Sequence, residues 1–599
     1  MTHANSCRRA SAGLLAGLLV AILGALLPGA GAQSVPAVAA DKVQGAATVG
    51  AAEYDASREI FHPVHGRHGM VASESRLASE VGLRELQRGG NAVDAAVAMG
   101  FALAVTLPAA GNLGGGGFMM LHDGRSGRDT AIDFRETAPA AATRDMYLDA
   151  RGNVVPGRSL FTPLAVGVPG TVAGLLHALE HYGSRPREEV IGPAIALAAD
   201  GFSVDEPLAA QIAAARRHLE AWPASRRIFL PGGRPLEAGQ TLRNSDLAQS
   251  LRAIAHEGSR AFYEGAIGQA IVADVHTHGG LLTREDLRGY RAVERAPVRG
   301  TYRGYEIVSM PPPSSGGVHI VQMLDVLQHF PLKDWGLNSA RTMHVMTEAM
   351  KRAYADRSLY LGDPDFVTIP VRGLTSPGYA DTLARQIDLA HATPASTIRP
   401  GRPQPYESDQ TTHYTVADAQ GSVVSVTYTL NWLFGSGMVA EGTGILLNDE
   451  MDDFSAKPGV PNVFGLVGGD ANAVQGGKRP LSSMSPTLVL KDGHPWMATG
   501  SPGGSRIITT TLETIVDMID FGLNPAEAAA TPRFHDQWEP DELRVERGFS
   551  ADTLALLAAM GHPVREGPSM GRTQTIAIRA DGFWGASDPR NPNGATLGY

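Results

Sequence analysis

Residues 92–107 constrain the fold of this chain more than any other stretch. After Gly89-Gly90-Asn91, the positions from Ala92 to Leu107 are almost all Ala, Val, Met, Phe or Leu, with Asp94 the lone charge. A helix that is apolar on every face must be covered on every face. Asp94, and Pro108 at its end, make it a buried helix rather than a membrane span, which needs about 20 apolar residues. A chain carrying such a helix has to place it between or beneath other layers of structure.

The remaining pattern supplies those layers. Gly111-Asn112-Leu113 and the glycines 114–117 lead into the strand-like Phe118–Leu121, and Asp129–Phe134 reads as the returning strand, ending at Arg135-Glu136. Helical stretches dominate 165–290, with Thr283 and Asp286 spaced as an N-cap signal. Pro311–Pro313 and Ser314-Ser315-Gly316-Gly317 then interrupt the chain before a helix over 318–329. In the C-terminal third, Thr411–Asp418 and Val423–Leu430 alternate around Gln420-Gly421 as a hairpin, and Leu488–Lys491 with Trp496–Thr499 form another. Ser501-Pro502-Gly503-Gly504 opens a helix over 506–521. Between the hairpins, Lys457–Pro480 has the length and Gly/Pro/Asn content of a mobile flap. Helices on both sides of antiparallel hairpins, without tandem repeats, indicate an α+β layered fold rather than a parallel βαβ sheet.

Composition narrows the function classes. The 599 residues allow up to four domains or one large enzyme. With 43% hydrophobic and 19% charged residues, Gly 70 and Pro 39, neither disorder nor a collagen-like structure fits. A net charge of −10 without a Lys/Arg block argues against a nucleic-acid partner. Arg8-Arg9, the apolar stretch Ala12–Leu27 and Ala30-Gly31-Ala32 read as a signal peptide over 1–32, leaving Gln33 first in the mature chain. Cys7, the single cysteine, lies before the apolar run, so neither a lipid anchor, a disulfide nor thiol catalysis is expected. Residues 33–57 read as a loose terminus. The expected product is exported, to the periplasm or the medium, with no membrane anchor.

Three constellations could carry chemistry. Gly567-Pro568-Ser569-Met570-Gly571 has the form of a nucleophile elbow, but that motif needs a strand before the serine and a helix after it; the strand-like Thr573–Arg579 follows instead. His62, His65 and His68 have i, i+3 spacing, yet Pro63 and Gly66 interrupt a helix and no acidic ligand is near, so solvated loop histidines are expected and no metal. The glycine run 114–117 lacks the Gly-Lys-Ser/Thr of a phosphate loop and reads as close backbone packing or a pocket wall. The third constellation is Thr411, at the entry to the first hairpin after a Pro-, Gln-, Glu- and Ser-rich loop. Thr429 and Asn431 close the same hairpin and should lie near it. Glu450, Asp452 and Asp453 follow at an expected strand end, then Ser482-Ser483, then Gly503-Gly504, whose adjacent N–H groups can face a developing oxyanion.

Taken together, the chain resembles the gamma-glutamyltranspeptidase family from about Phe61 to Tyr599. The resemblance rests on Gly89–Ala96, Gly111–Gly114, Asp133-Phe134-Arg135-Glu136, Pro311–Gly317, Ala355-Asp356-Arg357, Thr411-Thr412-His413-Tyr414, Met451–Ser455, Pro480–Pro486 and Gly500–Arg506. It implies an N-terminal-nucleophile hydrolase: an αββα sandwich built jointly by a large subunit (33–410) and a small one (411–599), cut from one precursor at Gln410–Thr411. It implies Thr411 as nucleophile, with its freed α-amine as base; that amine titrates near 8 in ordinary peptides. By the same resemblance, Gly503 and Gly504 form the oxyanion hole and Thr429 supports the nucleophile. Arg135 anchors the substrate α-carboxylate beside Ser482 and Ser483, while Asn431, Glu450 and Asp453 hold its α-ammonium. Lys457–Gly469 resembles a flap over the pocket, with Phe464 at an aromatic gate. No cofactor is implied. The expected donors are glutathione and other γ-glutamyl compounds, and the acceptors are water, an amino acid or a peptide. A cephalosporin or glutaryl acylase on the same scaffold is the alternative reading, and an uncleaved binding protein a third.

Overall fold

The computed structural model describes residues 54, 56–57, 59–401, 412–457, 459–460, 462, 465–466 and 469–599, all within the unit Ala52–Tyr599. The leader 1–32, most of the terminus 33–57, Thr411 and Phe464 lie outside the described residues.

The apolar helix is present as Ala92–Thr106, and every one of its residues is buried. Asn91 accepts hydrogen bonds from the N–H groups of Val93 and Asp94, and the Asp94 carboxylate accepts the Asn91 N–H at 2.8 Å. This reciprocal cap satisfies N–H groups that have no intrahelical partner. Asp94 is therefore a helix-start device, which accounts for the single charge in an apolar run.

Beneath this helix lies a seven-stranded sheet in the order 595–598, 69–73, 412–418, 423–429, 116–123, 128–134 and 293–295. Every neighbouring pair is antiparallel. A second antiparallel sheet runs 64–66, 582–587, 574–579, 494–499, 487–491, 305–309 and 298–302. Met70, Phe118 and Met120 of the first sheet pack with Val308, Leu488, Leu490 and Ile576 of the second. On the first sheet's far side, the helices Arg76–Gln87, Ala92–Thr106 and Thr171–Tyr182 bury Val81, Phe101 and Leu175. On the second sheet's far side lie Gly316–Leu327, Ala340–Tyr360 and Arg506–Ile519. The result is the four-layer α-β-β-α stack. A large apolar side chain contributes about 1.5–3 kcal/mol when buried, whereas a disulfide contributes about 2–4 kcal/mol. Cores of this size do without one.

The acidic cluster follows a strand end, as expected: the strand Ile445–Leu446 gives way to the short 3-10 helix Glu450–Asp453. The strand Ile445–Leu446 stops because the Asn448 side chain takes over: its Oδ1 accepts the N–H of Gly167 (2.9 Å) and of Glu450 (3.0 Å). Side-chain amides compete with strand ladders in this way, and the turn aims the acidic side chains inward.

Candidate functional site

Strand register collects the site at one end of the first sheet. Thr412 opens its strand opposite Tyr428, Thr429 pairs with Gly116, and Gly117 pairs with Phe134, directly before Arg135. The glycine run makes this convergence possible. A Cβ on Gly115 would stand 2.0 Å from the Thr429 carbonyl oxygen, and one on Gly116 would stand 2.5 Å from that of Phe134. Close backbone packing is thus the role of residues 114–117.

Arg135 is fully buried. Its Nε donates to the Pro480 carbonyl (3.1 Å) and Nη2 to that of Leu481 (2.9 Å). Nη1 pairs with Glu450 and Nη2 with Asp453. The residue that the resemblance implies as carboxylate anchor and two of those it implies as ammonium holders therefore touch one another. Such a set suits a zwitterionic ligand, with a carboxylate matched to the guanidinium and an ammonium to the carboxylates. Asn431 completes the acceptor set. Its N–H donates to Thr429 Oγ1 (2.8 Å) and its Nδ2 to the Asp449 carbonyl (3.0 Å). Its Oδ1 is buried and meets no donor among the described residues, as is true of Glu450 Oε2.

The sequence reading gave Glu136 no role. It is fully buried, its Oε2 lies 3.7 Å from Arg135 Nη1, and neither of its oxygens receives an N–H or O–H donor from the described residues. Glu136, Glu450 and Asp453 thus place three carboxylates around one guanidinium. Desolvation pushes the carboxyl of Glu136 up to about 7, and that of Glu450 up as well, against the opposing pull of Arg135. As pH rises and the Glu136 carboxyl ionises, negative charge appears beside the Arg135 guanidinium. KM for a glutaryl anilide, which offers the carboxylate without the ammonium, is expected to rise on the alkaline side, and Glu136→Gln to flatten that rise; kinetics from pH 6 to 9 check it, and an unaltered profile in the variant counts against the assignment.

Ser482 and Ser483 lie beside Arg135 through the Pro480-Leu481 backbone. Ser483 Oγ accepts from Arg357 Nη2, and the Ser482 carbonyl accepts the Ser315 N–H (2.7 Å) and hydroxyl (2.8 Å). Arg357 Nε also donates to Ser315 Oγ at 3.1 Å, so the serines are braced by the Pro311–Gly317 and Ala355–Arg357 motifs. One turn before Arg357, the Tyr354 hydroxyl donates to the Ser505 carbonyl, which brings the Gly503-Gly504 loop to the same region. Gly503 and Gly504 adopt φ of +136° and +72°, conformations that favour glycine. Neither of their N–H groups donates to an acceptor among the described residues. Two unspent amides before the helix Arg506–Ile519 suit an oxyanion.

His413 is the imidazole nearest in sequence to Thr411, and it is not a base. It is fully buried, with Nδ1 at 2.9 Å from Thr427 Oγ1 and Nε2 at 3.0 Å from Thr415 Oγ1. Burial pushes its pKa down to about 3. Thr412 donates its hydroxyl to Glu74 Oε1 at 2.7 Å. Of the flap region, Val460, Asn462 and Leu466 line a cavity of about 320 Å³ together with Asp452, Asp453 and Ser159.

The motifs set aside on sequence grounds sit elsewhere. Residues 567–571 follow the short strand Val564–Glu566 and precede the strand Gln574–Arg579, with no helix after Ser569. His62 faces the Tyr54 hydroxyl, His65 stacks on Trp584, and His68 lies against Tyr599.

Residues 78–598 match the family model described as Gamma-glutamyltranspeptidase. The glutathione hydrolase proenzyme of Escherichia coli (strain K12) is 57% identical over 548 residues, covering 91% of this chain and 94% of that protein. That of Pseudomonas sp. (strain A14) is 47% identical, covering 90% and 95%. A crystal structure of cephalosporin acylase from Bacillus halodurans superposes with a TM-score of 0.81 at 29% identity, covering 91% of this chain and 98% of that one. The four-layer stack is accordingly the αββα sandwich of the N-terminal-nucleophile hydrolases. A match over nearly the whole described chain, to relatives that share its length, leaves one assignment: the chain belongs to the gamma-glutamyltranspeptidase family.

Proposed function

We propose that this chain is an exported proenzyme that cuts itself between Gln410 and Thr411 and then transfers γ-glutamyl groups. The leader 1–32 directs it to the periplasm or the medium. Cleavage divides it into a large subunit (33–410) and a small one (411–599), which stay together through the shared sandwich. No helix of the described residues is long and apolar enough to cross a membrane.

In the mature enzyme, Thr411 Oγ attacks the γ-carbonyl carbon of glutathione or a related donor. The Thr411 α-amine takes the hydroxyl proton and passes it to the leaving nitrogen, while the N–H groups of Gly503 and Gly504 hold the oxyanion. Water, or the amine of an amino acid or peptide, then attacks the γ-glutamyl ester and releases the threonine. Thr429 fixes Asn431 through its hydroxyl, and Ser482 and Ser483 border the carboxylate.

The observation that carries this reading is the pairing of buried Arg135 with Glu450 and Asp453 at the sheet end where Thr412 begins. Such a set recognises a carboxylate and an ammonium on the same carbon. A glutaryl group lacks that ammonium and would leave two buried carboxylates unpaired, at a cost of about 2–5 kcal/mol. A γ-glutamyl anilide is therefore expected to exceed a glutaryl anilide in kcat/KM by about a hundredfold or more. Equal or reversed preference assigns the chain to the acylase alternative.

A further inference from the structure

A second polar cluster lies away from the glutamyl pocket, where the long helix Ala340–Tyr360 meets residues 536–562. His344 and Glu348 are one turn apart on that helix, and His562 reaches them from the loop after the helix Ala551–Ala559. One ligand atom from each lies within 4.8 Å of the others, and all three residues are buried.

The neighbours define what these atoms can do. His344 Nε2 lies 2.7 Å from the Asp388 carbonyl oxygen. A carbonyl only accepts, so Nε2 carries the proton and Nδ1 presents its lone pair to the cluster. Nδ1 in turn lies 2.7 Å from His562 Nε2, so a single proton sits between the two rings. His562 Nδ1 is buried with no hydrogen-bond partner among the described residues. Glu348 accepts the Thr393 N–H on Oε1 (2.9 Å) and Arg352 Nη1 on Oε2 (2.6 Å). The other nearby cation, Lys351, is paired with Asp541 at 2.8 Å, so both cations are already matched by carboxylates.

We propose that His344, Glu348 and His562 form a binding site for a zinc-class divalent cation, joining the segment before the 410–411 bond to the segment after it. Two neutral imidazoles and a carboxylate are ordinary zinc ligands. The outer contacts also fit, with a backbone carbonyl orienting His344 and an amide and a guanidinium orienting the carboxylate. The cation takes the place of the proton between the rings; that proton moves to His562 Nδ1, so both facing nitrogens donate lone pairs and no net charge leaves the protein. The two ligand-bearing segments stand 218 positions apart, which hides the cluster from any reading of spacing.

The test uses untagged, processed full-length protein, stripped with a chelator and titrated with Co²⁺ and Zn²⁺. Expected are one equivalent bound, a Co²⁺ absorption spectrum of nitrogen-containing low coordination, and a rise in Tm with Zn²⁺. His562→Gln and Glu348→Gln are expected to weaken binding by about tenfold or more, whereas replacing His62, His65 and His68 by alanine leaves it unchanged. Absence of stoichiometric binding by the unaltered protein overturns the site, as does a Co²⁺ spectrum of oxygen ligands alone. Binding that persists undiminished in a folded His562→Gln protein does the same. None of these readouts depends on γ-glutamyl transfer.

Discussion

Thr411→Ala is expected to leave the protein as one uncut chain and to lower γ-glutamyl transfer by roughly 10⁴-fold or more, the scale on which loss of a nucleophile acts. The described residues next to it in sequence offer no substitute. The adjacent imidazole, His413, is buried and neutral, with hydroxyls at both ring nitrogens. The next hydroxyl along the chain, that of Thr412, is held by Glu74, whose other oxygen pairs with Arg572 at 2.9 Å. A threonine inside a strand has no α-amine to serve as base, whereas a threonine freed at a chain start does. Denaturing electrophoresis and N-terminal sequencing of the smaller fragment check this. A fragment beginning at Thr412, or normal cutting in Thr411→Ala, would show that the scissile bond is misplaced. Thr412→Ala serves as the control, with cutting retained.

How much of this was legible beforehand depended on whether the information was local. The Ala92–Thr106 helix was, because burial on all sides needs only an apolar run and its cap lies within four residues. The hairpin Thr412–Asp418 and Val423–Thr429 was, because alternation and a Gln-Gly turn are local. Thr411, Thr429, Asn431 and Gly503-Gly504 stand out in the hairpin and turn pattern, whereas the roles proposed for Arg135, Glu450 and Asp453 rest on the family motifs. Arg135, Glu450 and Ser483 lie in three distant segments, and no periodicity predicts that a guanidinium after one strand meets a 3-10 turn more than 300 positions on. Glu136 escaped notice for a related reason: a charged residue beside an arginine looks solvated until both prove buried. The inward aim of the Glu450–Asp453 turn is not legible locally, because Asn448, which stops the preceding strand, acts through contacts to Gly167 and Gly114 across the fold.

Arg135 is where the second large effect is expected. Removing one partner of a buried, hydrogen-bonded charge set costs about 2–5 kcal/mol, so Arg135→Ala should raise KM for a γ-glutamyl anilide by about a hundredfold or more. Two losses combine in that figure. The donor's α-carboxylate loses its guanidinium. Glu450, Asp453 and Glu136 also lose the one cation among them, and desolvation then favours their protonated forms, which hold an ammonium less well. Arg135→Lys restores the charge but not the fork that reaches Glu450, Asp453, Pro480 and Leu481 together, and should recover only part of the loss. A donor without the α-carboxylate, 4-aminobutanoyl anilide, separates the two contributions. If Arg135 binds the carboxylate directly, the variant penalises the γ-glutamyl donor far more than this analogue. Equal penalties on both would mean that the arginine acts only by keeping the acidic residues charged, and an unchanged KM on both would remove Arg135 from the site.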